Sequence, residues 1–473
     1  MSGYFGFGSS SGGSGGGTSS TFGDLFPNEG TAAGFTDGNN LQPAQVHDLD
    51  TSGTQEFNLG VNLRTYSNGG SKETGIESNP LIVSLPSKYS GFYGTISPEL
   101  FTELDLHNSY QIDSTVYSNR TSSGGVVSYD TTTGSIQLST NSTNSSLSEL
   151  RTNQYYKIQL GKTLIIRQGI RFVSSGSNNS TLFGLFDDNF GVYFKLSNAL
   201  LSVGFLDSMS SGLTNEYSSI NFNFDKMDGS GPSSQLLDVT KYNLYEIRVS
   251  WHGILVLEFY INGFLCHKIT NYNNSEKPFF KIDRLPISIK SLNSASSTNT
   301  ELFYNSSSIL IENGSNNYKY SFCASNDVPK IVSYSNEIPV LSIRSKNLIN
   351  SIENRKIAIP KMLGLFNQGT RIKYRLLINC NLTGASFTSV NNNSSIEYDY
   401  SATTFIGGEE IYKNYLSKNE DHIDLNLENI FDLYGRNIKQ NAFATSVDIL
   451  TIVVVSDARA STRVSSTILW NEV

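Results

Sequence analysis

The side chains that could do chemistry are few and scattered. The five histidines, His47, His107, His252, His267 and His422, fall in no metal-ligand spacing. Cys266 and His267 are adjacent, and in a strand neighbouring side chains point to opposite faces, so this pair cannot close on one ion. The three cysteines, Cys266, Cys323 and Cys380, lie far apart. An odd number at wide spacing fits neither a disulfide framework nor a zinc site, and buried free thiols are expected. Two carboxylates about 5–10 Å apart would suit glycoside hydrolysis, and the candidates are Asp187, Asp188, Asp225 and Asp228. Asp188-Asn189 reads as turn chemistry. The run from Asp225 to Pro232 reads as a loop held by Asx turns, in which a carboxylate satisfies nearby backbone N–H groups. That run lacks the alternating ligands and closing Glu of a calcium loop. No catalytic residue, metal ligand or cofactor site is assigned.

Other function classes lose their footprint. No nucleophile elbow or phosphate loop is present, because the Gly-rich start lacks the Lys-Ser/Thr that would hold a phosphate. The formal net charge is −8 without a basic stripe, which argues against nucleic acid. No run approaches the roughly 20 apolar residues of a membrane-spanning helix, so no membrane partner is expected. No secretory leader is read, and sequons such as Asn119 to Thr121 are what an Asn- and Ser-rich chain produces by chance.

The elements that must position these residues read as strands. Charged residues make up only 16% of the 473, and Ser, Asn, Thr and Gly take their place, a balance that favours turns and sheets over helices. Tyr245, Ile247, Val249 and Trp251 occupy one face of a strand closed by His252-Gly253. Leu255, Leu257, Phe259 and Ile261 occupy one face of the next. Asn262-Gly263 then supplies the two positive-φ positions of a type I′ hairpin, and Phe264–Ile269 returns as a third strand. Further strands are expected at Leu182–Phe186, Gly191–Lys195 and Leu200–Phe205. Trp251 is expected to plug the core, and Asp225 and Asp228 to stabilise the 225–233 loop.

Four regions follow. Residues 1–55 form a flexible Gly/Ser-rich arm whose aromatic clusters, Tyr4, Phe5 and Phe7 on one side and Phe22, Leu25 and Phe26 on the other, are expected to dock on a partner. Residues 56–87 form a short β connector with a turn at Ser67–Gly70. Residues 88–329 form a central β-sandwich, and 330–473 a C-terminal one. The latter has strands at Pro339–Arg344, Arg371–Asn379, Ser446–Val455 and Ser465–Trp470, and a helical interruption near Leu425–Tyr434. The unbroken apolar run from Val447 to Val455 predicts a strand buried on both faces. The fold class is therefore all-β, two jelly-roll or lectin-like β-sandwich domains behind an arm.

Several blocks resemble virion structural proteins, tail-fibre-like or capsid-associated, of environmental tailed phages and related viruses. These are Phe186–Asn189 with Gly191–Phe194, Asp225–Ser233 with Leu237-Asp238, Trp251–His267 and Leu285–Ile287. Pro339–Arg344, Leu382–Phe387, Ile396–Thr403, Gly407-Gly408 and Trp470–Glu472 extend the likeness over roughly 80–473. Those proteins commonly read Trp-Leu-Gly-x-Gly where this chain has Trp251-His252-Gly253-Ile254-Leu255, a departure. The resemblance implies a non-enzymatic component of a virus particle, assembled in the host cytoplasm with other virion proteins, as a fibre, neck or capsid appendage. A homotrimer is expected. The alternative is a host-surface carbohydrate-binding protein that recognises receptor glycans. A depolymerase or glycosidase ranks last.

Overall fold

Period-two alternation along most of the chain drives one face of each strand into a core, and the chain does little else. The computed structural model describes residues 99–207, 216–252, 254–270, 282–314, 320–418, 422–434 and 436–473, and four short strands nearer the start. The chain divides into two units, Met1–Ser87 and Lys88–Val473. In the first, Ala33–Thr36 pairs with Leu41–Ala44, and Arg64–Ser67 with Gly70–Glu73. The second hairpin closes on Ser67 and Gly70, at the expected turn. The proposed docking residues Tyr4, Phe5, Phe7, Phe22, Leu25 and Phe26 lie outside the described residues.

The second unit holds two antiparallel β-sandwiches. In the first, one sheet runs in the order Phe264–Thr270, Leu255–Ile261, Asn243–Trp251, Thr163–Ser174, Thr300–Glu312, Ser135–Thr140 and Val126–Asp130. Thr300–Glu312 is 13 residues long. Its first part pairs with Ser135–Thr140 and its second with Leu100–His107, the eighth strand. The facing sheet has seven strands, in the order Glu216–Ser218, Leu200–Asp207, Phe190–Ser197, Asn179–Phe186, Ile287–Asn293, Leu147–Thr152 and Tyr117–Ser122. The meander from Asn243 to Thr270 follows the expected order, and Asn262 and Gly263 take φ of +50° and +87°. Gly253 lies outside the described residues.

An aromatic cluster joins the two sheets. Phe183 and Phe194 of the seven-stranded sheet stack at 5.5 Å. Tyr245 meets them edge-on at 4.8 and 5.2 Å, and Phe259 meets Phe194 at 5.4 Å. All four rings are buried, and such offset and edge-on pairs add to the free energy of burial itself. Trp251 does not plug this core. It ends its strand, packs against the core from the margin, and stays partly exposed. The tryptophan at the centre of a core is Trp470, fully buried in the second sandwich.

That second sandwich pairs a five-stranded sheet with a six-stranded one. The first contains Tyr320–Ser325, Thr462–Glu472, Ala358–Asn367 and His422–Asn426, with Lys330–Val332 also on Thr462–Glu472. The second runs Thr388–Ser389, Ile396–Asp399, Ile338–Ser345, Ile449–Ser456, Ile372–Ile378 and Glu409–Leu416. Because Tyr320–Ser325 belongs here, the change of sandwich falls between Glu312 and Tyr320, ahead of the expected boundary at 329/330. Ile449–Ser456 is buried on both faces, since Val453 on the outer side packs with Leu377, Cys380, Leu382 and Phe405. The helix is shorter than its periodicity suggests: Leu425 belongs to a strand, and Glu428–Tyr434 alone is helical.

Candidate functional site

A cluster of charged side chains sits on the outward face of the seven-stranded sheet, where Phe443 of the second sandwich covers it. In Leu147–Thr152, Leu150 points into the core, so Glu149 and Arg151 point away from it. Lys290 and Arg120 stand directly across from Glu149 on the two flanking strands. Glu149 is wholly buried. Its Oε2 accepts from Arg120 Nε and Nη2 at 2.9 and 2.6 Å, and its Oε1 from Arg151 Nε at 2.7 Å. Asp188 joins from the bend after Asn179–Phe186, with Oδ1 accepting from Arg151 at 2.7 Å, Arg120 at 3.0 Å and Lys290 at 3.3 Å. The Phe443 ring, carried by the second sandwich, lies 4.9 and 4.8 Å from the two guanidinium carbons, within cation–π range.

The adjacent Asp187 ties the sandwiches differently. Its Oδ1 accepts from the backbone N–H of Asn189 and Phe190, at 2.7 and 2.8 Å, so it is Asp187 that makes the Asx turn, not Asp188 as expected. Its Oδ2 is paired with the Arg355 guanidinium, and both side chains are buried. Arg355 also donates to the Arg284 carbonyl at 2.7 Å and lies 5.2 Å over the Tyr155 ring. The Tyr155 hydroxyl lies 3.0 Å from Glu353 Oε1 and 3.1 Å from the Ala442 carbonyl. A buried charge pair is tolerable when further hydrogen bonds complete the ions. Here Asp187 is completed by two backbone N–H groups and Arg355 by the Arg284 carbonyl, while Arg355 Nε is left without a partner among the described residues.

Beside the cluster runs an open groove of about 660 Å³. One wall is the strand Tyr117–Ser122, the edge of its sheet, contributing Asn119, Arg120 and Thr121. The other is the 441–445 segment, contributing Asn441, Phe443 and Thr445.

The chemistry open to this arrangement is binding and positioning. Burial pushes the Asp188 carboxyl up, but Arg151, Lys290 and Arg120 outweigh it and leave the group at about 2. A general acid must hold its proton near neutral pH, and Asp188 is held in the opposite state. Asp225 is buried and accepts from the Met227 and Ser233 N–H groups, both at 2.8 Å, on separate oxygens. A Cβ on Gly231 would lie 2.3 Å from Asp225 Oδ1. Asp228 accepts from the Ser230 N–H at 2.9 Å and its hydroxyl at 2.5 Å. Both aspartates therefore accept backbone N–H groups within the 225–233 loop.

Cys266 points into the core and burial pushes its thiol up to about 12. A β-bulge at Cys266 interrupts the expected alternation. His267 stands opposite the core residue Phe259 and turns to the same side as Cys266, with Nδ1 accepting from the Asn223 N–H at 3.2 Å and its ring 4.6 Å from Tyr217. Burial lowers its pKa. Cys380 is buried too, while Cys323 is exposed, contrary to the expectation for all three thiols. Its strand, Tyr320–Ser325, is the edge of its sheet. Among the described residues no group of three or more His, Cys, Asp or Glu side chains could hold a metal ion.

Sequence reasoning missed Arg120, Glu149, Arg151, Lys290, Arg355 and Phe443. One signal was present: Leu147-Ser148-Glu149-Leu150-Arg151 places opposite charges two residues apart, on one face of a strand.

No family model matches this chain, and no curated protein matches it. Among solved structures it is similar to the cellulose-induced protein Cip1, at 15% identity over 44% of this chain and 96% of that one, with a TM-score of 0.32. It is also similar to the Emp47p carbohydrate recognition domain, at 12% identity over 46% and 96% with a TM-score of 0.30. A third is the catalytic domain of an endo-1,3-β-glucanase (laminarinase) from Thermotoga petrophila RKU-1, at 8% identity over 46% and 100% with a TM-score of 0.35.

Proposed function

We propose that this chain is a structural, non-catalytic component of a virus particle, a fibre, neck or capsid appendage. In this reading the two sandwiches act as one stiff body, and the N-terminal aromatic residues dock it to other virion proteins. The observation that carries the mechanical part is the tie between the sandwiches: Asp187 paired with Arg355, and Phe443 set over Arg120 and Arg151. The acidic side chains that could have served hydrolysis are taken up by this tie or by the 225–233 loop. A weakly charged surface rich in Asn, Ser and Tyr suits lateral packing of copies, and a homotrimer follows as the expected assembly.

The test is deletion of residues 1–26, followed by mass spectrometry and reconstruction of purified particles. The deletion should remove the chain from particles without unfolding the sandwiches. Full incorporation of the truncated chain would overturn the docking role. Light scattering of the intact protein should return three times the 52.0 kDa of one chain; a monomer would overturn the trimer.

A further inference from the structure

We propose that the groove between the strand Tyr117–Ser122 and the 441–445 segment is a binding site for a neutral oligosaccharide. Its volume of about 660 Å³ lies within the usual range for ligand sites and leaves room for roughly two or three pyranose rings. Saccharides are recognised by an aromatic face that meets C–H groups and by planar polar groups that meet hydroxyls, and this groove offers both. Phe443 supplies the ring, and it is already fixed. Two guanidiniums lie within 5 Å of it, and carboxylates hold those guanidiniums in turn. A ring held before the ligand arrives costs little to order on binding.

The polar groups come from the strand. The Asn153 N–H donates to the Val116 carbonyl at 2.7 Å. Carried along the register, this puts Ser118 and Arg120 in hydrogen-bonded pairs with Arg151 and Glu149. The backbone N–H and C=O of Asn119 and Thr121 therefore turn outward from the sheet. Both residues are exposed, their side chains lie on the Tyr117 face of the strand, opposite Arg120, and they line the groove where it wraps the sheet edge. Arg120 engages carboxylates through Nε and Nη2, which leaves Nη1 for a ligand hydroxyl.

Charge selects a neutral ligand. Arg120 is the one charged side chain on the groove wall among the described residues, and it is already engaged by Glu149 and Asp188, which Arg151 and Lys290 share. An added protein strand is the competing occupant of a sheet edge. Here it would find little ladder, because the Tyr117 N–H is taken by the Asp113 carbonyl at 2.8 Å and the strand is six residues long. The site does not depend on the chain belonging to a particle.

The test uses the intact chain on a printed array of neutral oligosaccharides built from glucose, galactose, mannose and N-acetylglucosamine, beside uronic- and sialic-acid-bearing ones. Neutral glycans should bind, and Asn119→Ala with Thr121→Ala should weaken the best of them by about tenfold with an unchanged melting temperature. Phe443→Ala should also abolish binding, and Thr121→Arg, which fills the groove from an exposed position, separates that loss from any loosening of the sandwiches. Silence from every neutral glycan would overturn the proposal. So would preference for acidic glycans, or binding untouched by Thr121→Arg. Self-association that Thr121→Arg alone abolishes, on a silent array, would assign the edge to a second copy instead.

Discussion

Asp187 and Arg355 stand 168 residues apart in the chain and form a buried ion pair between two β-sandwiches. Removing one partner strands the other charge away from water, which typically costs about 3–5 kcal/mol. Arg355→Ala should therefore lower stability to urea by that order. The paired replacement Asp187→Asn with Arg355→Met should cost less than Arg355→Ala alone. Equilibrium unfolding followed by tryptophan fluorescence reads both cores, since Trp251 reports on the first and Trp470 on the second. An Arg355→Ala protein as stable as the parent would mean that the pair does not hold the sandwiches together.

Acid should reveal the charged cluster. The Asp188 carboxyl sits at about 2 against its ordinary 3.8, so its folded-state pKa is depressed. Such a group stabilises the fold above its unfolded pKa, and the contribution is lost as pH falls through the folded one. The melting temperature should therefore decline between about pH 4 and pH 2, and Asp188→Asn should flatten that part of the profile. Asp188 is 44% exposed, so solvent screens the effect and the change should be modest. An identical acid limb in the variant would remove Asp188 from the account.

Two glycines should respond differently to alanine. Gly263 has φ +87° with open space around its missing Cβ, so Gly263→Ala should cost about 1–2 kcal/mol from backbone strain alone. Gly191 has φ +144°, and its Cβ would lie 2.2 Å from that of Phe186. Gly191→Ala should cost about 3 kcal/mol, read from the same urea curves. Equal losses at the two sites would contradict the crowding around Gly191.

Hydrolysis gives the sharpest check on the non-catalytic reading. Incubated with a panel of neutral and acidic polysaccharides at pH 5 to 7, the chain should release no reducing sugar, and Glu149→Gln should behave as the parent does. Sugar release that disappears in Glu149→Gln would make Glu149 a working carboxylate and overturn the reading.

Much of the fold was legible because burial repeats with the pleat. The strands at 243–270 carry apolar residues at every second position, and Asn262-Gly263 marks the reversal that a type I′ turn requires. The apolar run before Val455 announced a strand covered on both sides. Leu425 misled because an apolar residue just ahead of a helix mimics its first turn, although it lies in a strand. The charged cluster was far less legible. Arg120, Glu149 and Lys290 meet across three strands of one sheet, with Asp188 joining from the bend after a fourth, and nothing local in the chain marks that convergence. Trp251 was misjudged because alternation gives the face on which a residue lies but not its height along the sandwich.

The long strand Thr300–Glu312 sits in mid-sheet against Thr163–Ser174. During synthesis the earlier strand must wait for the later one, about 150 residues and, at 5–20 residues per second, roughly 8 to 30 s. Throughout that delay an incomplete sheet exposes a bare edge of Ile and Leu to neighbouring nascent chains. Yield should therefore depend on ribosome pace and chaperone supply more than on the stability of the finished molecule, and slower translation, by lengthening that exposure, should favour aggregation.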